Sequence, residues 1–219
     1  MHNFFVYTNG EGDLALTVGG YVSLAILTFL ILVSLAVFTS KEKKLGTKQL
    51  AFCAVAIALA VVASMIKFFE LPFGGSITLF SMLFIALIGY WYGARVGITA
   101  AVAYGMVQFL LEPYILSIPQ VIVDYPLAFG ALGIAGFFTG KKYGLIKGYI
   151  AGVFGRFCFA VLSGVIFFAS YAPEGMHPFV YSTAYNGTYL AVEALLTIVI
   201  LLIPAVYKAI DRIGKIAMS

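Results

Sequence analysis

The sequence predicts an all-α integral membrane protein, a single bundle of apolar helices crossing a bilayer. Three observations predict it. Of the 219 residues, 63% are hydrophobic and only 10% are charged, with a mean hydropathy of +1.05. A soluble domain carries about a quarter charged residues, so lipid must surround most of this surface. The apolar residues also gather into runs near the ~20 residues that ~30 Å of hydrocarbon requires. Finally, the basic residues fall between those runs.

Seven spans follow along the chain. The first, residues 20–38, holds no charge and ends at the basic run Lys41 to Lys44. The second covers 48–69 and stops before Glu70-Leu71-Pro72. The third (77–92) and fourth (96–111) are short, which suits helices packed around a cavity. The fifth, 118–138, carries Asp124 and Pro126; the proline removes a backbone donor, so local irregularity is expected there. Irregular backbone at membrane depth is tolerated where it lines a cavity. The sixth covers 145–171 and the seventh 185–207, with Pro204 near its end. The basic tail beyond reads as a short helix with a solvated end. Cys53 and Cys158 lie in apolar runs without metal or redox spacing and read as small buried hydrophobes.

Orientation follows from charge. With the N-terminus outside, eleven of the thirteen Lys and Arg residues lie in cytoplasmic loops, Lys67 and Arg156 being the exceptions. That is the positive-inside pattern, N-out and C-in. Glu11, Asp13, Glu70, Glu112 and Glu174 then lie outside. They are either ordinary loop solvation or a field attracting a cationic ligand. No nucleotide-binding, zinc-protease or serine-hydrolase motif occurs, so no catalysis, metal or cofactor is expected.

Charges in hydrocarbon cost at least ~2.5 kcal/mol each on insertion scales and persist when paired or facing a cavity. Asp124, Arg156 and Glu193 are the three to explain. Asp124 reads as an interfacial group or a ligand's counter-ion. Arg156 reads as snorkelling, pairing or lining a site, and Glu193 as an ion pair, an interhelical hydrogen bond or a functional group. Tyrosines and small polar residues crowd the outer ends of spans four to seven, among them Tyr114, Tyr181, Tyr185 and Asn186. A carboxylate amid aromatic faces suits a flat organic cation. On span two, Ala54 and Ala58 lie one turn apart, as do Ala56 and Ala60; such faces admit another helix closely, within the bundle or from a partner.

Three segments carry a family resemblance: the Ala54-xxx-Ala58 helix through Ser64, residues 114–138, and residues 155–187. Together the chain from about Leu45 to Tyr207 resembles the thiamine-specific S-component, the substrate-binding subunit of energy-coupling factor (ECF) vitamin transporters. The resemblance implies a six-helix core (residues 45–219) preceded by an added N-terminal helix (residues 1–44). It implies a non-enzymatic, high-affinity binder of thiamine in a prokaryotic plasma membrane, working with a coupling transmembrane subunit and two ATPase subunits. The binding residues it implies are Tyr114, Asp124 (where the family has Glu), Tyr125, Gly164, Phe168, Tyr181 and Asn186. Ala54 and Ala58 would meet the coupling subunit. This chain departs from the family at Ala160, where a histidine contacts the ligand, at Phe168, where a tryptophan stacks on it, and at Arg156, where a lysine stands. These departures leave a thiamine precursor, such as its hydroxymethylpyrimidine half, or another small heterocycle as the alternative ligand, and a stand-alone secondary transporter as the alternative class.

Overall fold

The computed structural model describes residues 6–8, 14–23, 26 and 45–219. Residues 18–23 are helical, and the rest of the expected first span lies almost wholly outside the described residues. Two short antiparallel hairpins correct the all-α expectation. One pairs β1 (Val6–Thr8) with β2 (Leu14–Leu16), the other β3 (Lys67–Glu70) with β4 (Ser76–Thr78).

The core is helical. Its elements are α1 (Thr47–Met65), α2 (Ser81–Tyr92), α3 (Ala94–Leu111), the composite α4 (Ile118–Phe138), α5 (Gly144–Phe167), α6 (Pro178–Leu201) and α7 (Pro204–Met218). Among the described residues, five of these are long and apolar enough to cross a membrane: α1, α3, α4, α5 and α6. The protein is a multi-pass membrane protein. At 12 residues, α2 is only about 18 Å long. It lies inside the bundle, with Met82, Ile85, Ala86 and Ile88 almost fully buried, so protein rather than lipid surrounds it.

Several expected boundaries move, each for a local reason. Span two ends at Met65 because Lys67-Phe-Phe-Glu pairs as a strand and Pro72-Phe-Gly makes the turn. Span six ends at Phe167, and Ala169–Tyr171 forms a separate 3-10 turn. The last span starts seven residues earlier than expected, at Pro178, because His177 caps it: Nδ1 accepts from the Phe179 amide at 3.2 Å. It also ends earlier. Ile203 is extended, and Pro204 opens a new helix instead of closing the old one; proline suits the first helical turn, whose amide needs no partner. The tail is therefore packed, with Gly214 and Ala217 buried. Cys53 is buried as expected, but Cys158 is exposed on α5.

Glycine lets the central helices touch. A Cβ on Gly97 would stand 2.4 Å from the Gly89 Cα, and one on Gly133 would stand 2.2 Å from the Ile98 amide nitrogen. Here α2, α3 and α4 meet backbone to backbone, as small residues permit in membranes.

Glu193 proves to be an interhelical hydrogen-bond acceptor. Its carboxylate is 3% exposed. It accepts from the Thr78 amide (2.9 Å) and hydroxyl (2.8 Å), and more weakly from the Met82 amide (3.4 Å) and Ser81 hydroxyl (3.5 Å). It sits at the positive end of α2, where a negative charge is favoured. Thus α6 holds the joint between β4 and α2.

Candidate functional site

At the end of the bundle where α1 and α3 finish and α4 and α6 begin, a cavity of about 490 Å³ opens. Its floor is α4, and the reason is the backbone of that helix. Residues Val123–Leu127 form a π-helical turn containing Pro126, and Ala131–Phe138 continues as a 3-10 helix. A π-turn inserts an extra residue per turn and redirects the side chains on it. Asp124 and Tyr125 lie on this turn and both line the cavity. The irregularity expected from Pro126 is therefore present, and it faces a cavity.

Tyr114, Asp124, Tyr125, Gly164, Phe168, Tyr181 and Asn186 all line this one cavity, as do Ala160 and Arg156. Their present engagements differ. Asp124 accepts from Gln120 Nε2 at 2.6 Å, a neutral partner that leaves its charge uncompensated. The Ser163 hydroxyl is buried beside this carboxylate without forming a hydrogen bond of good geometry. Tyr125 is a brace: its hydroxyl donates to the Glu112 carbonyl (2.8 Å) and accepts from the Tyr114 amide (3.1 Å). Asn186 is held by its neighbours, donating to the Ser182 carbonyl (3.0 Å) and accepting from the Tyr189 hydroxyl (2.9 Å). Its carbonyl keeps a second lone pair.

Gly164 has a structural reason to be glycine. A Cβ there would meet the Ser182 hydroxyl at 2.0 Å, so the close approach it permits is that of α6 to α5.

Two aromatic clusters line the cavity. In one, Phe168 packs against Tyr114 (5.8 Å between centroids) and Tyr171 (5.6 Å), whose hydroxyls share a 2.7 Å hydrogen bond. The other is a stripe along α6, with Tyr181, Tyr185 and Tyr189 spaced by four residues and ring centroids 5.9 and 6.1 Å apart. Sequence reading missed Gln120, Ser163 and this complete stripe. The signals were there: Gln120 lies four residues before Asp124 on one helix, and the tyrosine spacing emerges once the helix starts at Pro178.

The mouth is electrostatically asymmetric. Among the described residues, the cavity's charged lining is Lys67 and Arg156 against Glu70, Glu112 and Asp124, two cations to three carboxylates. Lys67 bridges Glu70 (2.9 Å) and Glu112 (2.7 Å). Burial pulls its pKa down, but the hydrogen bonds and charges of these two carboxylates outweigh that and raise it above lysine's ordinary value. Arg156 lies on the face of Phe129, 4.0 Å from its centroid. Among the described residues, Asp124 is thus the cavity carboxylate without a cationic partner.

The β3–β4 hairpin borders the mouth and is tied to α6 through Tyr185, whose hydroxyl accepts from the Gly75 amide (3.0 Å) and donates to the Pro72 carbonyl. Tyr185→Phe removes both bonds, each worth about 1 kcal/mol. The Gly75 amide is then expected to exchange with solvent deuterium roughly tenfold faster, as measured by hydrogen exchange. Unchanged exchange would show that the hairpin is held elsewhere.

The fold and cavity define a multi-pass helical membrane protein with a net-negative, aromatic-walled pocket at one end. The chain belongs to the thiamine transporter protein family, whose model matches residues 50–211. It is 33% identical over 162 residues to the thiamine transporter ThiT of Bacillus subtilis, a match covering 68% of this chain and 83% of that one. The ThiT of Lacticaseibacillus paracasei is 27% identical over 138 residues, covering 55% of this chain and 69% of its own. Among solved structures, ThiT from Listeria monocytogenes matches with a TM-score of 0.59 at 25% identity, over 73% of this chain and 96% of that one. The relatives are named as transporters, not enzymes.

Proposed function

We propose that this chain is the thiamine-binding S-component of an ECF-type importer, capturing thiamine from outside and releasing it inward with an energising module. One observation carries the reading. An acid on a π-turn, held among the described residues by a neutral amide, shares with two aromatic clusters a cavity whose described lining carries one net negative charge. Thiamine is a flat cation with a hydrogen-bonding pyrimidine, and this arrangement answers both features. The carboxylate takes the charge and an N–H donor, the rings of Phe168, Tyr114 and Tyr181 take the faces, and the free lone pair on the Asn186 carbonyl accepts from the pyrimidine amine. Family membership and the names of the relatives support the same ligand.

In this reading seven spans run N-out and C-in, residues 1–44 add a helix to the 45–219 core, and the cavity opens outward. The partners are a coupling transmembrane subunit and two ATPase subunits. The two small-residue stripes of α1 divide their work: Ala56 and Ala60 are buried within the bundle, whereas Ala54 and Ala58 face outward, free to meet the coupling subunit.

Ala160 and Phe168 favour a second reading in which the pyrimidine half is the main ligand, since both departures remove contacts and the polar groups stay. Calorimetric titration of the purified chain with thiamine and with hydroxymethylpyrimidine separates the two. Tighter binding of thiamine by at least roughly tenfold is expected, because only thiamine brings the cation. Equal affinities would transfer the assignment to the precursor, and no heat from either would overturn the proposal.

A further inference from the structure

At the end of the bundle opposite the cavity, α7 crosses the helix ends instead of extending them. It leaves α6 at the Ile203 bend and passes the end of α2, where Gly214 packs on the Trp91 indole. The Ala217 carbonyl accepts there from the Tyr92 hydroxyl at 3.3 Å. It finishes at the start of α1, where Lys48 Nζ donates to the Ser219 hydroxyl at 2.8 Å. A Cβ on Gly214 would meet Trp91 Nε1 at 2.5 Å, so the helix is seated tightly.

At 100° per residue, α7 has three faces. Ile210, Gly214 and Ala217 turn toward the bundle. Next to them Ala209, Ile213 and Ile216 form an apolar face that none of the described residues covers, Ile213 and Ile216 being 45% and 50% exposed. On the far side lie Lys208, Arg212 and Lys215, all exposed, with Asp211 paired to Lys215 at 2.8 Å. Among the described residues, that leaves Lys208 and Arg212 on α7 without an acidic partner, beside an apolar strip, at the level where the spanning helices end.

We propose that α7 is an interfacial helix bound to anionic phospholipid. Ile213 and Ile216 enter the acyl region, while Lys208, Arg212 and Lys215 hold headgroup phosphates. The apolar strip and the basic row are a quarter-turn or so apart, the arrangement an in-plane helix needs. The positive charge complements an anionic leaflet, at a strength per residue set by the surface potential. Because the seat on Trp91 is rigid, the lipid fixes the level of this end of the bundle.

Two measurements on the full chain test this. In native mass spectrometry from nanodiscs of mixed phosphatidylglycerol and phosphatidylcholine, the wild type is expected to retain the anionic lipid at roughly tenfold preference. K208Q/R212Q/K215Q is expected to lose that preference while keeping its thermal midpoint. Retention of the preference by the variant, or its absence from the wild type, overturns the proposal. A spin label at Ile216→Cys, with Cys158→Ser, is expected to collide with oxygen and not with a water-soluble nickel complex. Access by nickel would place the strip in water, open to a protein partner, and would likewise overturn it.

Discussion

Asp124→Ala is expected to weaken thiamine binding at least tenfold, roughly the least that follows when a buried charged hydrogen bond loses one partner. The loss has two parts. A cation in a cavity with two positive and three negative side chains loses its charge balance. A ligand donor facing the carboxylate is also left desolvated and unpaired. Asp124→Asn isolates the first part, since it keeps shape and an acceptor but not charge. Asp124→Glu, which restores the family's acid, is expected to bind. Titration calorimetry measures all three. Unchanged affinity in Asp124→Ala would remove the carboxylate from the site.

Gly133→Ala is expected to cost about 3 kcal/mol of stability, the upper end of ordinary overpacking. The added methyl carbon would stand 2.2 Å from the Ile98 nitrogen and 2.4 Å from the Gly97 carbonyl carbon. Both are backbone atoms, so no rotamer change relieves the clash and α3 must part from α4. The thermal midpoint should fall by roughly 6 to 12 °C for a chain of this size. Ligand affinity should fall with it, because Phe129, Tyr125 and Asp124 lie on the same helix a turn or more away. Gly187→Ala is the control: its nearest neighbour is the Phe157 ring at 3.7 Å, an ordinary contact. Equal midpoints for the two variants would show that the helices do not meet so closely.

The sequence named residues that the fold brings to one place. The substrate-binding residues named in advance line one cavity: Asp124 beside Pro126 and the tyrosines near Asn186 are costly or distinctive where they stand, and the family resemblance implied the rest. What the sequence hid was occupancy. Tyr125 and Asn186 are already engaged with the protein, and Gly164 serves a helix contact with Ser182. Residue type does not disclose which neighbour uses a donor first. Boundaries failed where a polar residue near a span's end had a tertiary or capping partner. Lys67 pairs with Glu112 across the mouth, and His177 starts α6 early.

Composition and charge placement by themselves determined that this chain lives in a membrane as several apolar helices. The reason is solvation: so few charges cannot cover a water-facing surface, and lysines stay out of hydrocarbon. Tertiary structure alone decided which costly charge serves which end. Glu193 accepts from the amides and hydroxyls at the head of α2, whereas Asp124 lines the cavity and is held by a neutral amide. Those fates depend on which donors lie within 3 Å, and only the packing of α4 and α6 against their neighbours sets that.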